Sequence, residues 1–184
     1  MKPESALEAA LEKLEEADIA YMITGSYAGN LYGVPRTTYD ADIVIEARQG
    51  SLDWFIKSIE EDFYVSPESV KEAWEHERIF NIIHLETGLK IDLIIRKSRA
   101  YSQEEFNRRR LEPFLNSEYW FASPEDVILT KLEWAKTGQS ERQFRDTLGI
   151  AQIQGKKLDK EYLVFWAGRL SLQQELARLF KEFG

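Results

Sequence analysis

The sequence contains no cysteine. Disulfides, thiolate zinc sites and cysteine nucleophiles are thereby excluded. Histidine is nearly absent as well: His76 and His84 are the only two. A multi-histidine metal centre is excluded, and any metal should be a hard cation held by oxygen. No run of about 18 apolar residues occurs. The opening MKPESALEAALEKLEEAD lacks the apolar stretch of a signal peptide, so the expectation is a cytoplasmic protein with no membrane span. Positive charge is in deficit: 24 Lys and Arg face 32 Asp and Glu, a net charge of −8. A field of that sign does not favour a nucleic-acid partner, although a local basic patch can still bind one. Neither G-x-x-x-x-G-K-[ST] nor G-x-G-x-x-G is present, which disfavours P-loop and Rossmann nucleotide binding.

What remains is a chain built to fold. It has 184 residues, 43% of them hydrophobic, enough for one core with a small appendage. Leu7, Leu11 and Leu14 mark an amphipathic helix over 5–16. IAYMITG (19–25) reads as a strand, and SYAGNLYG as a short helix from Ser26, stopped by Gly33 and Pro35. YDADIVIEA (39–47) is the next strand. Helices are expected at 51–62, N-capped by Ser51, and at 66–77, behind Ser66-Pro67. RIFNIIHLE and LKIDLIIR flank Thr87-Gly88 as a β-hairpin. A capping box of Ser102 and Glu105 opens a helix over 102–110. YWFA reads as a last short strand, and Ser123 with Asp126 opens a helix over 123–138. Helices at about 140–153, 159–170 and 171–183 follow. The pattern predicts an α/β (α+β) core over 1–122, a sheet flanked by helices, and an all-helical part over 123–184. Trp120, Trp134 and Trp166 fall in apolar patterns and are expected in the core.

Three acids stand out. Asp40 and Asp42 are two apart on a strand, so both side chains leave one face. Carboxylates that close repel each other unless a cation neutralises them, or unless they are simply a solvated strand end. Asp92 lies inside LKIDLII, with apolar residues on both sides, where an unpaired acid is costly. If its strand lies beside the 39–47 strand, Asp92 joins the pair in a metal site or acts as a base; otherwise it pairs with Lys90 or Arg96. Gly25-Ser26, separated from Asp40 by thirteen residues, sits at a strand-to-helix turn. There glycine allows close backbone approach, and the helix start offers N–H groups to phosphate. Arg36 contacts phosphate or pairs with an aspartate. The arginines and lysine at 96, 97, 99 and 108–110 form a patch for a polyanion or, the reading favoured here, a charge-balanced solvated surface.

TGSYAGNLYGVPRTTYDADIVI resembles the signature of the polymerase-beta-type nucleotidyltransferase superfamily. Gly33, Pro35, Arg36, Thr38, Asp40 and Asp42 are similar to the pattern of its minimal bacterial members, among them the abortive-infection (AbiEii-like) toxins. KIDLI resembles the third-acid strand, and Lys131 and Asp146 match the later Lys-bearing and Asp-bearing helices. The resemblance covers residues 20 to about 153. It implies a nucleotidyltransferase-like fold and an enzyme that moves a nucleoside monophosphate from a nucleoside triphosphate to an acceptor hydroxyl. Mg²⁺ or Mn²⁺ would be held by Asp40 and Asp42, with Asp92 as third ligand or base. Gly25 and Ser26 would hold the triphosphate. Lys131 would supply charge to the phosphates or orient Asp146, and both are expected to face the site. The implied acceptor is a tRNA, a protein or a small molecule such as an aminoglycoside. The toxin likeness implies an antitoxin protein as a partner. The competing expectation is a nucleotide-binding module or regulatory subunit without turnover.

Overall fold

A computed structural model describes residues 2–138 and 140–183. The chain divides into two compact units. The first comprises Met1–Thr24 and Thr38–Phe121, and the second comprises Gly25–Thr37 and Ala122–Gly184.

The first unit is built on one mixed sheet. Its strands are β1 (Ala20–Thr24), β2 (Asp40–Glu46), β3 (Phe63–Val65), β4 (Ile79–His84), β5 (Lys90–Ile95), β6 (Arg110–Phe114) and β7 (Ser117–Phe121), in the order β3-β4-β5-β2-β1-β7-β6. β2 pairs antiparallel with β1 and parallel with β5. β2 and β5 alternate strictly. Ala41, Ile43, Ile45, Ile91, Leu93 and Ile95 are buried, while the intervening residues are half-exposed. This is the period-2 pattern of a sheet with one fully covered face. Helices α1 (Pro3–Glu16) and α3 (Gln49–Ile59) pack together and bury Leu7, Leu11, Leu14, Leu52, Phe55 and Ile59. The Thr87-Gly88 turn joins β4 and β5 as the sequence predicts.

Several local expectations are corrected. α3 starts at Gln49 with Arg48 at the cap, so Ser51 lies inside the helix. Helix α5 (Ala100–Asn107) starts two residues before Ser102, and the Ser102 hydroxyl accepts from Arg99 Nε at 3.0 Å instead of capping. Strands β3 and β6 carry too little pattern to be read from sequence. β3 has three residues. β6 contains Pro113, which removes a ladder donor and is tolerated because β6 ends the sheet. Helix α4 (Pro67–His76) agrees with expectation: the Ser66 hydroxyl accepts from Ser69 N at 3.3 Å.

The second unit is helical: α2 (Gly25–Tyr32), α6 (Pro124–Gly138), α7 (Glu141–Gln154), α8 (Lys160–Arg169) and α9 (Gln173–Phe183). Ser123 caps α6, accepting from Asp126 N at 3.2 Å and donating to Asp126 Oδ2 at 2.6 Å. The buried acids of its first turn are satisfied within the unit. Glu125 accepts from Asp159 N at 3.0 Å and Asp126 from the Tyr162 hydroxyl at 2.6 Å. Those bonds tie α8 to α6. Among the described residues, no helix is long and apolar enough to cross a membrane.

The expected core tryptophans are mostly outside it. Trp134 is 58% exposed, on the solvent side of α6, and Trp120 is 37% exposed. Trp120 alternates with buried Tyr119 and Phe121, so the strand turns it outward, where the Arg109 guanidinium lies 5.0 Å from its ring. Trp166 is half-buried and packs edge-on against Phe165.

α2 and α7 approach closely at Gly33. A Cβ there would lie 2.8 Å from Ile150 Cγ1, 2.9 Å from Gly29 O and 3.1 Å from Ile150 N. Two of the three are backbone atoms that cannot step aside. Gly33→Ala is therefore expected to destabilise the protein by about 2 kcal/mol in urea unfolding, whereas Gly50→Ala, where a Cβ meets nothing within 4 Å, should not destabilise it.

Candidate functional site

In the first unit, the half-exposed face of β2 and β5 carries the predicted acids. The register Asp40↔Lys90 and Asp42↔Asp92 puts all four side chains on that face. The strand of Asp92 lies directly beside the strand of Asp40 and Asp42, the arrangement on which a shared site depends, and Asp92 also makes the pairing with Lys90 that the sequence offered as the alternative. Asp40 Oδ1 accepts from the Thr38 hydroxyl at 2.8 Å. Asp92 Oδ2 accepts from Lys90 Nζ at 2.8 Å. The hydrogen bond to Asp92 raises the Lys90 ammonium's pKa above the ordinary lysine value. Partial burial opposes this, and the charges of Asp92, Asp40 and Asp42 add to the rise. One lysine thus serves three carboxylates. Its place was legible in part, because Lys90 is two before Asp92 on the same strand face.

Thr24 was not singled out from sequence. It ends β1 in register with Asp42, on the same face, and is 5% exposed. Its hydroxyl is buried without a hydrogen-bond partner. Such a group is costly to leave unsatisfied and marks a place where a polar ligand is expected. The donor set of Asp40, Asp42, Asp92 and Thr24 is all oxygen, which fits Mg²⁺ or Mn²⁺ in type. Among the described residues, no three acidic or histidine side chains are gathered closely enough to enclose a metal as they stand. Thr38 and Lys90 each hold one of the carboxylates.

The second unit holds the other predicted residues in one cluster. Gly25, the first residue of α2, has φ +60°, a conformation glycine adopts without strain. One residue on, the Ser26 hydroxyl accepts from Arg36 Nη2 at 2.8 Å. Arg36 also donates to Asp146 Oδ2, from Nε at 3.2 Å and from Nη2 at 3.1 Å. Lys131 Nζ donates to the same Asp146 oxygen at 3.0 Å and to Gln143 Oε1 at 3.2 Å. Lys131 is 3% exposed, buried with Val127, Ile128 and Leu132 of α6. Burial pushes the Asp146 carboxyl up. The hydrogen bond from Arg36 and the charge and hydrogen bond of Lys131 outweigh that and hold it below the usual aspartate value.

Asn30, four residues after Ser26 and on the same helix face, pins the loop that carries Arg36. Its Nδ2 donates to Arg36 O at 2.7 Å, and its Oδ1 accepts from Arg36 N at 3.0 Å. The sequence reading passed over both Asn30 and Gln143. A cleft of about 310 Å³ opens beside this cluster, lined by Ser26, Asn30, Arg36, Arg145, Asp146 and Gln152 with Val34, Pro35 and Leu148. It offers two guanidinium groups and an apolar wall. Elsewhere, in the basic stretch, Arg96 is neutralised by Glu46, and Arg109 is stacked on Phe106 with its centre 4.3 Å from the ring.

No protein-family model and no curated protein sequence matches the chain. Solved structures do. An antigenic nucleotidyltransferase-like protein from Paracoccidioides brasiliensis is 17% identical, with 98% of this chain and 92% of that one covered, at a TM-score of 0.58. The antibiotic-resistance factor ANT(2'')-Ia is 12% identical over 95% and 96% of the two chains, at 0.63. The lincosamide antibiotic adenylyltransferase LnuA, in its lincomycin-bound structure, is 15% identical over 82% and 97%, at 0.55. At such identities the likeness is one of architecture: this chain has the mixed-sheet fold of nucleotidyltransferase-like proteins.

Proposed function

We propose that the protein is a metal-dependent nucleotidyltransferase. The observation that carries this is the Asp42↔Asp92 register between parallel strands, which puts three carboxylates on one sheet face beside the unpartnered Thr24 hydroxyl. Asp40, Asp42 and Asp92 would hold Mg²⁺ or Mn²⁺, which when bound supplies Lewis acidity and neutralises phosphate charge. Asp92 is a ligand or the base that takes the acceptor hydroxyl's proton. Gly25 and Ser26 bind the triphosphate, with Arg36 adding positive charge. Lys131 positions Asp146 through their ion pair. In the reaction the acceptor oxygen bonds to the α-phosphorus, the bond from that phosphorus to the β-phosphate oxygen breaks, and pyrophosphate leaves. The protein contributes charge and positioning with no covalent step of its own.

We infer a cationic small molecule as the acceptor. The net charge of −8 attracts a polyamine-like substrate and repels a tRNA. Two of the similar structures are, by name, an antibiotic-resistance factor and an antibiotic adenylyltransferase, which supports an acceptor of this size. The second reading, nucleotide binding without turnover, draws on the Lys90–Asp92 ion pair, which occupies a carboxylate the chemistry needs.

The test is pyrophosphate release from each nucleoside triphosphate with Mg²⁺, against a panel of aminoglycosides and against bulk tRNA. Release that depends on an aminoglycoside is expected. Release dependent on tRNA would overturn the acceptor assignment. Nucleotide binding with no release under any condition would favour the silent module.

A further inference from the structure

The carboxylate face already holds a cation of the protein's own. Lys90 enters β5 opposite Asp40, and Asp92 follows two residues later on the same face. The ammonium is 2.8 Å from Asp92 Oδ2, with the Lys90 side chain 42% exposed and the Asp92 side chain 17% exposed. Beside them the Thr24 hydroxyl is buried and unpartnered, in register with Asp42. The face therefore combines three acids, one tethered positive charge and one unsatisfied hydroxyl.

We propose that Lys90 is a built-in counter-cation that holds the carboxylate face in the metal-free protein and that a divalent ion must displace from Asp92 to bind. The inference rests on the metal reading given above. A single ammonium offsets one of three negative charges, so the face still attracts a divalent cation. Yet an ammonium 2.8 Å from Asp92 Oδ2 puts a positive charge where a metal would approach that oxygen, so the two cations compete for Asp92. The exposed lysine stem gives the ammonium a free path to swing outward. Lys90 thereby sets the metal concentration at which the site loads. Lys90 is a positioning residue here, acting through Asp92.

The experiment is a Mn²⁺ titration of the full chain, with free Mn²⁺ read by electron paramagnetic resonance, for wild type, Lys90→Met, Lys90→Arg and Asp42→Asn. Thermal melts with and without Mn²⁺ accompany it. Lys90→Met removes the competing charge and keeps the stem. Its Mn²⁺ Kd is expected to fall about fivefold or more, which corresponds to ~1 kcal/mol for a partly exposed ion pair. Its metal-free Tm should drop, and the gap to wild type should close when Mn²⁺ saturates. Lys90→Arg keeps the charge and should stay within about twofold of wild type. Saturable binding seen only in Lys90→Met also supports displacement. Equal or weaker Mn²⁺ binding by a folded Lys90→Met, with wild type and Lys90→Arg still binding, overturns the role of Lys90 and leaves the metal site standing. Absence of saturable binding in wild type and both Lys90 variants, or unchanged binding in Asp42→Asn, overturns the metal site itself.

Discussion

Asp42→Asn is expected to reduce nucleotidyl transfer by about 10³-fold or more while the protein stays folded. Asp42 sits centrally among the acids, two residues from Asp40 on its own strand and in register with Asp92 on the next. Replacing its carboxylate by an amide keeps the shape and removes a charge that a divalent cation needs. Structurally the face has little to lose, since three like charges share one lysine and subtracting one relieves repulsion. The metal-free Tm should hold steady or rise. Pyrophosphate release and a melt in chelator check both halves. A sharp fall in the chelator Tm would mean the acids serve the fold and not the chemistry.

The largest expected effect on stability belongs to Asp146→Ala. One oxygen of this carboxylate accepts from both Lys131 and Arg36. Without it, a lysine only 3% exposed and an arginine are left facing each other with no anion between them. Breaking a buried pair in this way costs about 3 kcal/mol, read as a shift in urea midpoint. The sign of the pH dependence follows from the lowered Asp146 pKa. The stabilisation is complete above the unfolded-state aspartate value, about 3.9, and is lost as pH falls through the lower folded value. The stability gap between wild type and Asp146→Asn should be full at pH 6 and shrink in strong acid. A gap independent of pH down to strong acid would show that the charge of Asp146 is not what holds the two cations. Partial recovery in a Lys131→Met/Asp146→Asn double variant should follow from the coupling.

Much of the carboxylate face was legible because its signals are local. Strict alternation along DADIVIE and KIDLII fixes which side chains share a face, and an acid inside such an apolar run is conspicuous. Adjacency of the two strands was not legible. It is a parallel pairing between residues some fifty positions apart, and the alternation pattern is the same whichever strands are neighbours. The Arg36–Asp146 contact, 110 residues apart, has no local signal at all. Resemblance alone pointed to Lys131 and Asp146, and the direct ion pair between them gives that pointer a physical content. Lys90 was weighed only as a rival explanation for Asp92, although it lies on the same face by simple counting. The tryptophans misled because an apolar neighbourhood in sequence does not say which face a side chain takes. Trp120 points away from the burial of Tyr119 and Phe121 on either side.

The helical unit is assembled from two stretches of chain, Gly25–Thr37 and the segment from Ala122 onward. This interleaving has a consequence for how the protein is made. α2 leaves the ribosome early, between the first two strands, but its helical packing partners α6 and α7 are synthesised about a hundred residues later. At 5–20 residues per second the interval is roughly 5 to 20 s, long compared with helix or hairpin formation. During that time the Ser26–Arg36 pair can form locally, but its anchor at Asp146 does not yet exist. The nascent chain therefore completes its Ser26–Arg36–Asp146 cluster last, and a chain released before α7 carries the carboxylate strands without that cluster's anchor.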